Sequence, residues 1–87
     1  MKKKEKFVVR NIAENHVLVP YGETIHRFSG MIVATATGAF IWEHIEEVDS
    51  AEEMAQLLTQ EFEVSYEEAL ADTKDVFDNF IKAGWIE

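Results

Sequence analysis

The chain has 87 residues, 47% of them hydrophobic and ten of them aromatic, which suits one domain with a thin core and excludes two. It has no cysteine, which removes a disulfide scaffold, a thiolate metal site and a cysteine nucleophile together and fits a reducing compartment. The net charge of −9 is uneven: residues 1–42 carry six Lys/Arg against three Asp/Glu, residues 43–87 two Lys against fourteen Asp/Glu, so the second half would repel a phosphate backbone and no nucleic-acid partner is expected.

The chain opens on Met1-Lys2-Lys3-Lys4-Glu5-Lys6, whose composition predicts a flexible basic tail over residues 1–6 ahead of a folded domain over 7–87. No apolar stretch after it resembles a signal-peptide core or reaches the roughly 18 residues of a membrane span; the sequence reads as soluble and cytoplasmic. Phe7-Val8-Val9-Arg10-Asn11-Ile12 is rich in β-branched and aromatic residues and predicts a strand. Ala13-Glu14-Asn15 is a turn, and His16-Val17-Leu18-Val19 a second strand ended by Pro20, which cannot donate to a ladder. Tyr21 to Gly30 is a polar connection from which Ile25 and Phe28 are expected to reach the core. Met31-Ile32-Val33-Ala34 is a short third strand, and with no helix between the three strands a parallel βαβ unit is not expected.

Three helices follow. The first spans about Thr37 to Glu46, with Phe40, Ile41, His44 and Ile45 at helical spacing and Thr35 as a candidate N-cap. Ser50-Ala51-Glu52-Glu53 and Ser65-Tyr66-Glu67-Glu68 are capping boxes that start the second and third helices. Met54, Leu57, Leu58 and Phe62 form the apolar stripe of one; Ala69, Thr73, Val76, Phe77 and Phe80 form that of the other. Lys82 and Gly84 supply a basic last turn and a stop, and Trp85-Ile86 is expected to pack the chain end onto the core. The fold class is therefore α+β, a three-stranded antiparallel sheet packed on three α-helices, and so small a sheet leaves strand edges open to another chain.

Chemistry-bearing residues do not converge. His16, His26 and His44 fall on a strand, a loop and a helix, with no second histidine at metal-pair spacing. His44 reads as a boundary histidine and His26-Arg27 as a surface pair. The paired glutamates sit where helix starts and ends already account for them, while Asp72, Asp75 and Asp78 spiral over an exposed face. Gly22, Gly30 and Gly38 are too dispersed for a phosphate loop. No catalytic residue, metal or cofactor is expected.

The run from Met31 through Thr35-Ala36-Thr37-Gly38 to Ile41-Trp42-Glu43, the segment Ser50 to Phe62, and Val64-Ser65 through Asp72, Val76-Phe77 and Phe80 to Gly84-Trp85-Ile86 together resemble the PqqD-like family. The resemblance extends over nearly the whole chain from Phe7, and its weight lies in the order of the motifs. Thr35 stands where that pattern commonly has Asn, Thr73 where it has Val, and Trp85 where it has Leu. The resemblance implies a winged helix-turn-helix domain acting as a recognition element for ribosomally made precursor peptides. Such a domain holds the leader peptide as an added strand and presents it to a modifying enzyme, commonly a radical S-adenosylmethionine enzyme. Carried onto this chain, the peptide-binding residues are Met31, Ile32, Val33 and Ala34 on the strand, with Leu70, Thr73, Lys74 and Phe77 on the third helix. The expectation is a non-catalytic adaptor, a monomer or weak dimer. A winged-helix DNA-binding or protein-interaction regulator is the alternative, which the acidic helices disfavour for DNA.

Overall fold

The chain forms its sheet first. In the computed structural model, which describes all 87 residues, Phe7–Ile12 (β1) and Asn15–Pro20 (β2) are antiparallel, in register from Phe7 opposite Pro20 to Ile12 opposite Asn15. Ala13 has φ 57, the left-handed conformation that two-residue hairpin turns require. Ile32–Ala34 (β3) lies antiparallel to β2, Leu18 facing Ile32 and His16 facing Ala34. The spatial order is β1-β2-β3, so β1 and β3 are both edges. Side chains alternate across a strand. Phe7, Val9, Leu18, Ile32 and Ala34 thus point to the helices and join or touch the core cluster, while Val8, Arg10, Val17 and Val33 take the other face.

Ala36–His44 (α1), Ala51–Glu61 (α2) and Tyr66–Ala83 (α3) follow. Each begins at the expected cap: the oxygens of Thr35, Ser50 and Ser65 accept from the backbone N–H of Gly38, Glu53 and Glu68 at 3.0, 3.2 and 3.1 Å. Gly38 spends its amide on this bond. The predicted first helix is shorter than expected, because Ile45–Glu47 tightens into a 3₁₀ turn. Gly84, at φ 78, ends α3 in the left-handed conformation that glycine adopts at least cost. These three helices behind a three-stranded antiparallel sheet make the domain an α+β winged helix-turn-helix.

The core centres on Trp42, fully buried with Ile41, Ile45, Met54 and Leu58. Its ring meets Phe7, Phe80 and Trp85 edge-on at centroid distances of 5.6, 5.3 and 5.9 Å, a favoured aromatic geometry. Its indole Nε1–H donates to the Phe7 carbonyl at 3.0 Å, which ties α1 to β1. Trp85 packs against Phe7 and Phe80 at 4.6 and 5.5 Å, so the chain end does close the core.

Two expectations need correcting. Residues 1–6, read as a free basic tail, lie along the chain end: Lys3 bridges Ile86, Lys4 N–H donates to the Trp85 carbonyl at 2.7 Å, and Glu87 N–H to the Lys2 carbonyl at 3.1 Å. Lys3 Nζ stands 4.7 Å over the Trp42 ring, a cation–π contact. Glu5 is buried, and its carboxylate accepts from Arg27 Nη2 at 2.5 Å, Arg27 Nε at 2.8 Å and Thr24 Oγ1 at 2.9 Å. Arg27 is therefore partnered with Glu5, while His26 and Arg27 both lie at the surface. In the connection, Gly22–His26 forms a 3₁₀ helix. Thr24 is its buried residue, Ile25 is 55% exposed, and only Phe28 reaches the core.

Candidate functional site

The third strand presents an edge with no protection. Edge strands are normally blunted by charge, proline or cover. Arg10 lies within β1, but β3 and the residue before it read Met-Ile-Val-Ala, without a charge or a proline. None of the loop and turn backbone hydrogen bonds engages residues 31–34. Met31 and Val33 are 59% and 70% exposed, while Ile32 and Ala34 lean on the core. Alternation along β3 thus leaves two apolar side chains in solvent beside the open backbone. Met31, predicted as the first strand residue, precedes the ladder.

On α3 the expected residues separate. Thr73 is fully buried and Phe77 nearly so, so both belong to the core stripe with Ala69 and Phe80. Leu70 is half-buried against the core and Lys74 exposed, without an ion pair. Ile81, 50% exposed, follows Lys74 by seven residues on the same shoulder and was not singled out from the sequence, where its spacing merges with the core stripe. The structure therefore brings Met31 to Ala34 together at an edge and sets Leu70, Lys74 and Ile81 on one shoulder of α3. Thr73 and Phe77 support that shoulder from beneath. The main packing partners of β3 are β2 and α1, and none of the three hollows in the surface is lined by β3 or α3 residues, so the β3 edge and the α3 shoulder are both shallow.

Few groups here are electrostatically perturbed. The Arg27 guanidinium holds the Glu5 carboxyl below the usual carboxylate range against an opposing cost of burial, and Glu5 raises Arg27 in return. His44 stacks on Phe40 at 4.3 Å and bonds Glu47 through Nδ1 at 2.7 Å, the boundary position expected of it. No three His, Asp or Glu side chains lie close enough to hold a metal ion, and no helix is long and apolar enough to cross a membrane.

The family model for PqqD, coenzyme PQQ synthesis protein D, matches residues 15–86, from the start of β2 to the end of the core. The chain belongs to the PqqD family. Among solved structures the chain is similar to one described as TbiB1 in complex with the TbiA(beta) leader peptide, at 23% identity and a TM-score of 0.68 over all of this chain and 95% of that one. At that identity the likeness carries the fold, sheet and helices alike. A search of curated proteins gave no match. Thr73, Trp85 and the β3 edge all lie within the matched residues.

Proposed function

We propose that this PqqD-family chain is a non-catalytic adaptor that binds the leader segment of a ribosomally made precursor peptide. The leader adds as a strand on β3, and the adaptor presents the rest of the precursor to a modifying enzyme of the radical S-adenosylmethionine class. The carrying observation is the uncharged, uncovered edge of β3. An extended peptide there gains main-chain hydrogen bonds, and alternate side chains meet the exposed Val33 side and the α3 shoulder of Leu70 and Lys74. Family membership and the likeness to a protein solved with a leader peptide support the choice of ligand. Ordering a flexible leader costs about 2–5 kcal/mol of the gross interaction, which suits an adaptor that must release its client.

The test is a proline scan of Met31, Ile32, Val33 and Ala34, with affinity for the leader of a neighbouring precursor gene measured by fluorescence anisotropy. Proline removes a backbone donor. Affinity should fall at least tenfold in one or more folded variants; full affinity at all four positions would rule out strand addition on β3.

A further inference from the structure

A second surface adjoins the end of β3, since His16 at its rim pairs with Ala34, and it carries its own signal. The side chains of Ala36, Ala39, Phe40 and Glu43 fall on one stripe of α1 at successive intervals of three, one and three residues. With Glu61 and Phe62 from the end of α2, they line a hollow of about 260 Å³. Asn11 and His16, from the β1–β2 hairpin, close its rim. The alanines open the space. Phe40 and Phe62, half-buried and edge-to-face at 5.6 Å, form an aromatic wall. A hollow this small suits one side chain rather than a cofactor.

The charges are the unusual part. Glu61 is the last residue of α2, whose final turn has no basic residue, and Glu43 lies in the final turn of α1. Helix C-termini carry the negative end of the dipole and disfavour carboxylates. Neither glutamate has an ion-pair partner, and both are exposed. His44, the basic residue of the α1 turn, is engaged by Glu47. No Lys or Arg occurs between Arg27 and Lys74, so these elements carry no lysine or arginine of their own to answer these charges. Local rules broken without internal compensation mark functional positions.

We infer that this hollow receives an arginine side chain from a partner polypeptide. The guanidinium would lie over Phe40 and Phe62, whose ring faces attract it, with Glu43 and Glu61 accepting its N–H groups. Lysine would gain the charge contact but not the planar stacking. The inference stands independently of leader binding on β3.

The test uses the whole chain, ¹⁵N-labelled, titrated with the capped tripeptide Ala-Arg-Ala and with its isosteric, uncharged citrulline counterpart. Saturable amide shifts are expected at Ala36, Ala39, Phe40, Glu43 and Phe62 with the arginine peptide and not with citrulline. Glu43→Gln combined with Glu61→Gln should weaken binding by roughly fivefold or more, the scale of partly exposed ion pairs. Glu67→Gln with Glu68→Gln, an equal charge change at the start of α3, should leave it unaltered. Equal binding of the citrulline peptide, shifts spread over all the acidic helices, an equal loss in the control pair, or no saturable shift would each overturn the inference. Leader titration reports on residues 31–35 and α3; Ala36 adjoins that stretch, so Phe40, Glu43 and Phe62 are the reporters by which the two readings fail separately.

Discussion

Thr73 is the most informative single residue. Its side chain is fully buried and its Oγ1 has no hydrogen-bond partner, a hydroxyl desolvated without compensation. Thr73→Val keeps the shape and removes that cost, so thermal unfolding should show a gain of about 1 kcal/mol. The sequence placed Thr73 on the apolar stripe and, by resemblance, among the peptide-binding residues; one residue at one spacing satisfies both patterns, and only the packing around α3 separates them. Trp42 gives the opposite case. Its bond to the Phe7 carbonyl means that Trp42→Phe leaves a buried acceptor unpaired and a cavity beside Phe80 and Trp85. A loss of about 2–3 kcal/mol in chemical denaturation is expected.

At the scale of elements, the helix starts were legible because a cap and its target lie three residues apart in sequence. Ser65→Ala should cost about 1 kcal/mol, read from the denaturation midpoint. The open edge of β3 was legible too, since three consecutive strands without an intervening helix make a small sheet whose ends nothing covers. The docking of residues 1–6 was not. Glu5 and Arg27 are 22 residues apart, and a lysine-rich opening masks a carboxylate that meets its partner only after the hairpin folds. Glu5 titrates low because Arg27 stabilises its charged form. A depressed carboxyl stabilises the fold above its unfolded value and loses that contribution as pH falls through the folded one. The segment should therefore remain docked at neutral pH and loosen well below pH 4.5, the unperturbed value. Hydrogen exchange should find the Lys4 and Glu87 amides protected at pH 7, and less so in Glu5→Gln while the Trp42 helix is unchanged. Equal exchange in both proteins would show that the ion pair does not hold the segment.

The whole molecule is polarised: a basic segment laid beside the chain end, a nearly uncharged β3 edge, and three acidic helices. A winged helix-turn-helix can present a helix to DNA, but here every helix is acidic, and positive charge gathers on residues 1–6 instead. The chain should show no tight, salt-sensitive DNA binding in a low-salt gel shift. What sequence order could not supply was the juxtaposition of surfaces: the ends of α1 and α2 meeting the hairpin, or the rotation that turns Leu70 and Lys74 outward and Phe77 inward. Those depend on how helices cross the sheet, which spacing along one element does not encode. The central claim is that a leader peptide extends the sheet at β3. An amide chemical-shift titration of the labelled chain with the leader of the neighbouring precursor tests it most directly. The account predicts saturable shifts clustered at residues 31–35 and along Leu70 to Ile81; shifts confined to α2, or none at saturation, would contradict it.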